Sequence, residues 1–266
     1  MSSGSARTPD SAFWVAPEAV DGDRLRLDAA ESRHLLRVFR AAPGAHFEAV
    51  DGAGTLYRCV LESADQGLAS GRIEARVPDA GELPFAITLL VGLPDLPQVE
   101  TIVALAVPLG AARIDFVTTA RSGRESLGAG RLERLERIAR SALKQSRRSR
   151  MPAMVSSARL ESALEALPPS RFRWLADPAG EGLPAPSGTP ADWSQVTISL
   201  AVGPPGGFLV EEVTVLRDAD FQRISLGPTR LTTSVAAVAL LSATRNLMLT
   251  AGLGRVDKTG RPGYLQ

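Results

Sequence analysis

Two patterns of hydrophobic and polar residues follow one another along the chain. Between Phe13 and Val77, apolar and polar residues alternate in short runs that end at turn-forming residues. Such alternation is typical of strands with one buried face. The runs are RLRLD, FEAVDGAG, TLYRCVLES and GRIEARV. They predict a small β-barrel over residues 12–78, which ends at the Pro- and Gly-containing linker PDAGELP.

Beyond this linker, continuous apolar runs alternate with longer stretches of helical periodicity. Strands are predicted in FAITLLVGL, RIDFVTT, RFRWLA, VTISLAVG and QRISLG, and helices in QVETIVALAVPLG, GRLERLERIARSALKQSRR, LVEEVTVLRDA and TTSVAAVALLSATRNLML. Strands that alternate with helices predict a parallel sheet covered on both faces. We therefore expect an α/β domain over residues 85–250, with a Pro- and Gly-rich loop over 177–192 and flexible tails at 1–11 and 254–266.

Composition excludes several kinds of site. Cys59 is the only cysteine, and His34 and His46 are the only histidines. An intrachain disulfide is therefore impossible, and we expect no metal site. No stretch holds 18 uncharged apolar residues, and no charged start precedes an apolar segment. We expect a cytoplasmic protein without a membrane span.

Positive charge is concentrated in the middle of the chain, although the net charge is only +1. Between Arg113 and Arg159 there are twelve Arg or Lys and four Asp or Glu. On a helical wheel of the long central helix, apolar residues fall on one side and basic residues on the other. The basic excess continues past the end of this helix through Arg150. This favours a nucleic-acid surface; the alternative is a solvated helix face.

A Gly-Pro-rich turn, GPPGGF, joins a predicted strand to a predicted helix. Such a turn can cradle an anion with its N–H groups, but here two prolines remove two donors. The turn matches neither the phosphate-binding P-loop nor the GxGxxG fingerprint. A rigid turn with bare backbone can approach a flat or neutral ligand; the alternative is a purely structural turn. The next strand ends in a second Gly-Pro loop, SLGPTRL, and two such strand ends point to one cleft at the carboxyl edge of the sheet.

These loops resemble those of the SPOUT-class methyltransferases that modify N3 of a uridine in small-subunit (16S) ribosomal RNA. The resemblance also rests on ESRHLLRVFRAAPGAHFEAVDGAGTLYRCVL, VPLGAARIDFVTT, ARSGRES and KQSRRSRMP, and it covers most of the chain. It implies a PUA-like β-barrel followed by an α/β domain whose C-terminal segment forms a trefoil knot. It also implies S-adenosylmethionine as cofactor, ribosomal RNA in the small subunit as partner, and a homodimer. The apolar face of the last helix, with Val235, Val238 and Leu241, is the candidate dimer surface.

The same resemblance implies roles for individual residues. The candidate catalytic residue is Arg121, in the segment that faces the substrate. The residues that match the cofactor loops are Leu175, Ala176, Gly203, Pro204, Gly206, Gly207, Leu226, Gly227 and Leu231. The residues that match RNA-facing segments are Arg33, His34, Arg37, Arg40, Ser122, Gln145, Arg147 and Arg148. A lone histidine such as His34 is more often a packing residue than a catalyst, and we expect it at the RNA.

The chain departs from the family pattern at five charged positions. Ala120, Pro108 and Pro205 stand where the family has Glu, and Thr232 and Ser234 stand where it has Arg and Glu. These changes leave open an alternative function, a catalytically weakened or retargeted RNA-binding paralogue. A nucleotide-binding oxidoreductase is a third possibility, but the missing GxGxxG and the basic helix count against it. No general base is evident, since the C-terminal half has no histidine; water or a carboxylate of a partner subunit could serve.

Overall fold

Two six-stranded sheets organise the chain. The computed structural model describes residues 10–123, 126–184 and 193–252. The first compact unit combines the chain up to Glu82 with Arg137–Met151. The second combines Leu83–Glu136 with the chain from Pro152 onward.

The first unit contains a mixed sheet that forms a half-barrel. Its strands are β1 (Phe13–Trp14), β2 (Val20–Asp21), β3 (Arg24–Arg26), β4 (His46–Val50), β5 (Thr55–Asp65) and β6 (Leu68–Pro78). They pair in the order β1-β4-β5-β6-β3-β2, parallel between β1 and β4 and antiparallel elsewhere. The four alternating runs of the sequence correspond to β3, β4, β5 and β6. The strands enclose a core of buried apolar side chains, among them Phe13, Leu25, Leu35, Phe47 and Leu61.

A short helix covers one side of this core. Helix α1 (Ala29–Arg33) continues as one π-helical turn over His34–Val38. The buried Ser32 hydroxyl donates to the carbonyl of Leu27 at 3.1 Å and accepts the N–H of Ala69 at 2.9 Å. The bond to Ala69 attaches α1 to β6, and the bond to Leu27 closes the turn between β3 and α1.

The DGAG turn between β4 and β5 is organised by one carboxylate. Asp51 Oδ1 accepts the backbone N–H groups of Ala53, Gly54 and Thr55 at 2.8–3.1 Å. Its Oδ2 accepts the hydroxyl of Tyr57 at 3.0 Å. Burial and this hydrogen bond to the carboxylate raise the pKa of Tyr57. An aspartate that satisfies three successive N–H groups fixes the conformation of the turn.

The second half of the long helix α3 (Ala129–Ser146) and the segment after it belong to the first unit. The N–H of Ala12 donates to the carbonyl of Lys144 at 3.0 Å. Ala53 and Arg150 form an isolated antiparallel bridge, and the N–H of Met151 donates to the carbonyl of Gly52 at 2.9 Å. The segment 144–151 is therefore part of the hydrogen-bonded structure of the half-barrel unit.

The second unit contains an all-parallel sheet, as predicted. Its strands are β7 (Ala86–Gly92), β8 (Ala111–Val117), β9 (Ala153–Ser157), β10 (Phe172–Glu181), β11 (Thr197–Val202) and β12 (Gln222–Ile224). They pair in the order β12-β10-β11-β7-β8-β9. The central strands β7 and β11 are almost entirely buried, as expected for parallel strands covered on both faces.

The other helices of the second unit are α2 (Leu96–Ala106), α4 (Leu160–Glu165), α5 (Val210–Asp218) and α6 (Thr233–Gly252). Helix α6 packs against α2, β7 and β11. Among the described residues it is the one helix long and apolar enough, by length and composition, to cross a membrane, but Ala237, Leu240 and Leu241 on it are fully buried. The expectation that Leu241 lies on a dimer surface is therefore wrong, because this side chain belongs to the core of the protomer. Val235 is half-exposed.

Several elements differ from the sequence predictions. Strand β9 and helix α4 were not predicted, and β10 continues to Glu181 into the stretch predicted as a loop. A hydrogen bond from the N–H of Ser225 to the carbonyl of Glu181 joins this extension to the end of β12. The rest of that loop, at 185–192, and most of both predicted tails lie outside the described residues. The trefoil knot stays a prediction of the resemblance.

Candidate functional site

The carboxyl ends of neighbouring strands in the parallel sheet lie side by side. Ala176 of β10 is opposite Val202 of β11 on one side and Ile224 of β12 on the other. Val202 is in turn opposite Val91 of β7. The segments that follow these strands therefore leave the sheet at one edge. The segments after β11 and β12, together with the adjoining part of β10, contain the residues matched to the cofactor loops, which are Leu175, Ala176, Gly203, Pro204, Gly206, Gly207, Leu226, Gly227 and Leu231.

Residues 203–207, here called the first loop, form a tight turn after β11. The N–H of Gly207 donates to the carbonyl of Pro204 at 2.8 Å, and Gly206 has a φ of +93°. A β-turn with proline second and a positive-φ glycine third has the signature of type II. Pro205 occupies the second position, where the proline ring presets the backbone angle. Its presence in place of the family's Glu removes a charge but suits the turn.

Two glycines allow the start of the first loop to pack closely. A Cβ on Gly92, the last residue of β7, would lie 2.4 Å from Cδ of Pro204. A Cβ on Gly203 would lie 2.9 Å from the backbone nitrogen of Phe208. Gly207, in contrast, has φ +76° and no atom within 4 Å of the place a Cβ would take. The loop is thus packed at its start and bare at its end, where a ligand can approach the main chain.

Residues 225–231, here called the second loop, follow β12 at the same edge. Gly227 has φ +106°, and no atom lies within 4 Å of the place its Cβ would take. Its N–H donates to the hydroxyl of Ser225 at 3.3 Å. Leu226 and Leu231 are half-buried. Each of the two loops therefore presents a bare glycine beside partly buried apolar groups.

An ion pair that no sequence pattern predicts joins Asp177 of β10 to Arg223 of β12. Arg223 donates to both oxygens of Asp177, at 2.9 and 3.1 Å, and the N–H of Ala179 donates to the same carboxylate at 2.8 Å. Burial alone would raise the pKa of Asp177, but the hydrogen bonds from Arg223 and Ala179 outweigh it and the pKa is lowered. The pair therefore holds β12, which precedes the second loop, against β10, which contains Leu175 and Ala176.

Arg121, the candidate catalytic residue, lies in the turn after β8 and is exposed. Its guanidinium donates a hydrogen bond to the carbonyl of Gly206 in the first loop. The structure thus brings Arg121 to the candidate cofactor loops. Ser122, predicted to face RNA, is half-buried, and its Oγ accepts the N–H of Thr119 at 3.1 Å inside this turn. The adjacent Ala120 donates its N–H to Glu212 of α5 at 2.8 Å.

A cavity of about 390 Å³ opens beside Arg121 and the first loop. Two of its lining residues, Pro94 and Pro205, offer apolar rings, and three others, Asp95, Gln98 and Arg121, offer polar groups. Arg121 supplies donors, Asp95 supplies acceptors, and Gln98 can do both. The cavity therefore offers both donors and acceptors beside two apolar rings.

The two polar residues of α2 in this cavity are oriented by hydrogen bonds. Asp95 caps the helix, since its Oδ1 accepts the N–H of Gln98 at 3.3 Å. The side-chain oxygen of Gln98 accepts the N–H of Ser234 at 3.4 Å. These bonds leave Oδ2 of Asp95 and the amide NH2 of Gln98 as groups that can meet a ligand.

Neutral hydroxyls replace the family's charges at the start of α6. Thr232 Oγ1 accepts the N–H of Val235 at 3.4 Å and lies 3.2 Å from the hydroxyl of Ser234. The hydroxyl of Thr233 donates to the carbonyl of Gly203 at 3.1 Å. Thr232 therefore caps the helix, and Thr233 links its first turn to the first loop.

The predicted RNA-binding residues of the first unit fall into two groups. Arg33, Arg37 and Arg40 are exposed on α1 and the turn after it, and none has an acidic partner among the residues that the structure describes. His34 is half-buried, with its ring 5.8 Å from that of Phe13 and 5.1 Å from that of Phe39. It therefore packs against the core, while the three arginines form a positive surface, here called the arginine surface.

Part of the basic face predicted for α3 forms ion pairs and a cation–π contact within the first unit. Lys144 pairs with Glu31, Arg147 pairs with Glu48, and Arg140 stacks over the ring of Trp14 at 4.3 Å. Gln145 is exposed.

The expectation that Arg148 contacts RNA is wrong. Its side chain is 3% exposed and forms an ion pair with Glu82 at 2.6 Å. The N–H of Arg147 bonds the carbonyl of Lys144 after the last helical residue, and Arg147 has φ +57°. This left-handed residue ends the helix and turns the next side chain inward.

Comparison with known proteins gives one consistent family. The model of an RNA methyltransferase domain matches residues 81–245, and that of an RNA methyltransferase PUA domain matches residues 27–74. The chain is 32% identical over 239 residues to ribosomal RNA small subunit methyltransferase E of Mycobacterium bovis, covering 87% of this chain and 89% of that protein.

Solved structures of relatives have the same fold. A ribosomal RNA small subunit methyltransferase E from Neisseria gonorrhoeae, bound to S-adenosyl methionine, superposes with a TM-score of 0.77 at 25% identity, over 89% of this chain and 97% of that one. A probable rRNA methyltransferase from Porphyromonas gingivalis superposes with a TM-score of 0.74 at 27% identity, over 89% and 98% of the two chains.

Proposed function

The chain belongs to the RNA methyltransferase family, and on that premise we propose that it methylates N3 of a uridine in small-subunit (16S) ribosomal RNA, with S-adenosylmethionine as the methyl donor. The observation that carries this proposal is the alignment of strand ends. It brings two glycine-bearing loops to one edge of the parallel sheet, beside Arg121 and the cavity. Since its substrate would be ribosomal RNA, the protein would act in the cytoplasm.

The two loops fit a cofactor held through the main chain. Gly207 and Gly227 have positive φ and open space where a Cβ would stand, so their backbones can be approached closely. The first loop, the second loop and Leu175–Ala176 are the segments that would hold S-adenosylmethionine. When bound, the cofactor supplies an electrophilic methyl group on a sulfonium sulfur.

The cavity beside Arg121 fits the pairing edge of a uracil base. That edge presents a carbonyl, an N–H and a second carbonyl, so a matching site offers a donor, an acceptor and a donor. Gln98 and Arg121 can donate, and Asp95 can accept. The rings of Pro94 and Pro205 provide apolar contact for the base. Enzymes that modify a base read its pairing edge and pack its faces in this way.

Two side chains would prepare N3 of the base for reaction. N3 must lose its proton before its lone pair can attack carbon. Asp95 is the carboxylate in the cavity that can take this proton as general base. Arg121 stabilises the negative charge that develops on the carbonyl oxygens of the base. This assignment makes a general base from the partner subunit unnecessary.

The RNA would bind through the arginine surface of the first unit. Arg33, Arg37 and Arg40 are exposed and project cationic groups from α1, the π-helical turn and the residues just after it. Arginine pairs with phosphate through a planar fork of N–H donors. These residues supply affinity for the RNA backbone, whereas the cavity of the second unit selects the base.

The protein would act as a homodimer. Leu105 of α2 and Val235 of α6 are 46% and 50% exposed, although these two helices pack against each other. Exposed apolar side chains on two adjoining helices favour coverage by another protein surface. A second copy of the chain is the partner that the family resemblance implies.

The alternative is a catalytically weakened or retargeted RNA-binding paralogue. Two measurements separate it from the proposed enzyme. Calorimetric titration with S-adenosylmethionine tests the cofactor site. Mass spectrometry of 16S RNA then tests whether the enzyme adds N3-methyluridine to small subunits purified from a strain that lacks the gene. Cofactor binding without methylation would support the paralogue, and a methylated uridine that persists in the deletion strain would point to another enzyme for this position.

A further inference from the structure

We propose that Glu212 is a positioning residue for methyl transfer, which fixes the turn that carries Arg121 against the first loop. This inference rests on the proposed function, since it assigns Arg121 to the reaction. Glu212 lies in the first turn of α5 and does not line the cavity. Its effect on the reaction would therefore pass through Arg121.

Glu212 joins two segments that are far apart in the sequence. Its Oε1 accepts the N–H of Ala120 at 2.8 Å, and its Oε2 accepts the N–H of Leu209 at 2.8 Å. Ala120 directly precedes Arg121, and Leu209 follows the first loop by two residues. One carboxylate thus bridges the turn after β8 and the start of α5.

The position of this carboxylate strengthens both bonds. Glu212 is the third residue of α5, where the helix dipole stabilises negative charge. Hydrogen bonds from N–H groups to an ionised acceptor are shorter and stronger than those between neutral groups. Leu209, the N-cap residue, has no side-chain oxygen to accept an N–H of the helix. Of the two hydrogen bonds in a capping box, Glu212 therefore provides the one from the N3 side chain to the N–H of the N-cap residue.

The bridge completes a closed ring of contacts around Arg121. Glu212 holds the backbone just before Arg121, and the Arg121 guanidinium donates to the carbonyl of Gly206. The chain then runs from Gly206 through Leu209 back to Glu212. The backbone and the guanidinium of Arg121 are therefore each attached to the same short segment. Without the bridge, the backbone of this turn would lose its bond to α5, and the guanidinium could shift relative to the cavity.

Glutamine at this position separates positioning from helix capping. Glutamine retains one acceptor oxygen, which suffices for the cap because Glu and Gln both serve in a capping box. Its NH2 group cannot accept the second N–H. Glu212→Gln should therefore keep α5 capped and lose the bond to Ala120. The matched control is Glu211→Gln, which removes the same charge from the neighbouring, exposed residue of the same helical turn.

The test compares turnover, cofactor affinity and amide exchange in these variants. We expect Glu212→Gln to lower kcat for methyl transfer by about tenfold to a hundredfold, because small misplacements of a catalytic group have effects of this size. The dissociation constant for S-adenosylmethionine and the melting temperature should stay close to those of the wild type. Glu211→Gln should leave kcat unchanged.

A second comparison tests whether Glu212 acts through Arg121. In an Arg121→Ala background, adding Glu212→Gln should change kcat by less than about threefold, since residues that act as a unit are not additive. Independent, multiplicative losses would overturn the proposal, as would full activity of Glu212→Gln.

Amide hydrogen exchange tests the positioning role of Glu212 without requiring methyltransferase activity. The N–H of Ala120 should exchange faster in Glu212→Gln than in the wild type and at the wild-type rate in Glu211→Gln. If the wild type transfers no methyl group, the proposed function fails, and the exchange data still decide whether Glu212 holds the turn. Equal exchange in all three proteins would overturn the positioning role.

Discussion

Glu82 holds the side chain of Arg148 in a buried ion pair. One oxygen of Glu82 accepts Nε and Nη2 of Arg148 at 3.1 and 2.6 Å. The other oxygen accepts the N–H groups of Ser149 and Arg150 at 3.0 and 2.9 Å. The carboxylate therefore attaches the segment after α3 to the segment after β6 within the first unit. Arg148 is a structural residue, although it lies in the most basic stretch of the chain.

Arg148→Ala should destabilise the first unit strongly. Removal of Arg148 leaves the largely buried Glu82 carboxylate without its counter-ion, and breaking a buried pair in this way typically costs about 3–5 kcal/mol. The matched control is Arg147→Ala, since Arg147 is 46% exposed and pairs with Glu48, and a pair of this kind contributes about 0–1 kcal/mol. Urea unfolding of the two variants measures the difference. Equal stability of the two variants would contradict the structural role of Arg148.

Gly92→Ala should weaken cofactor binding indirectly, by displacing the first loop. The added Cβ would lie 2.4 Å from the ring of Pro204, so the first loop must move. Overpacking of this kind costs about 1–3 kcal/mol, and if the whole cost falls on the bound loop, affinity falls by about fivefold to a hundredfold. Gly128→Ala is the control, because no atom lies within 4 Å of its added Cβ and its φ is not positive. Calorimetry with S-adenosylmethionine should separate the two; wild-type affinity in Gly92→Ala would show that the first loop is not part of the cofactor site.

The sequence predicts the parts of this protein that depend on local pattern. The period of the apolar residues predicts the parallel sheet, and the GPPGG turn predicts the glycine-rich first loop. The burial of Arg148 was missed because a helical wheel is valid only up to the end of the helix, and Arg147 with φ +57° breaks its phase. Its partner Glu82 is 66 positions away, and no local pattern reports such a contact.

Glu212 was missed for a related reason. The usual sign of a capping box is Ser or Thr three residues before the Glu, and here Leu209 stands in that place. Its second hydrogen bond reaches Ala120, 92 positions away. Charge replacement at Ala120 was visible in the sequence, but the use of its backbone N–H depends on the packing of α5 beside the turn after β8.

The arginine surface should give RNA binding its salt dependence. For each phosphate that a variant no longer neutralises, the slope of log affinity against log salt should become flatter by about 0.7–0.9. The test variant replaces the three arginines of this surface by alanine, namely Arg33, Arg37 and Arg40. The control replaces three exposed arginines that pair with glutamates on the strands, namely Arg24, Arg58 and Arg72. Both variants lose three charges. If the two slopes are the same, the arginine surface makes no specific contact with RNA.

Light scattering at micromolar concentration should give the mass of two chains. Glutamate at Leu105 and Val235 should produce a monomer, because burial of two unpaired carboxylates in an apolar interface is unfavourable. Val38→Glu is the control, since Val38 is 67% exposed in the first unit. If the wild type is a monomer, the proposed dimer is wrong. If the wild type and all variants are dimers, the interface lies elsewhere on the protein.

Asp95→Asn should abolish proton removal by this side chain while the helix cap, the cavity shape and the cofactor affinity are kept. Asparagine caps a helix about as well as aspartate, so α2 and the shape of the cavity should be kept. It cannot take a proton from N3, and the loss of a general base lowers rates by about 10²–10⁴-fold. Cofactor affinity should be unchanged. Glu100→Gln is the control, because Glu100 lies on the same helix and pairs with Arg134 outside the cavity.

The pH dependence of this variant identifies the missing step. As the pH rises, hydroxide deprotonates a growing fraction of the base in solution, and that fraction no longer needs Asp95. The deficit of Asp95→Asn should therefore shrink towards high pH. The deficit of Arg121→Ala, about a hundredfold or more, should persist, because the carbonyl charge that Arg121 stabilises is present however the proton leaves. A deficit of Asp95→Asn that is constant with pH would assign Asp95 to binding of the base and leave proton removal to water.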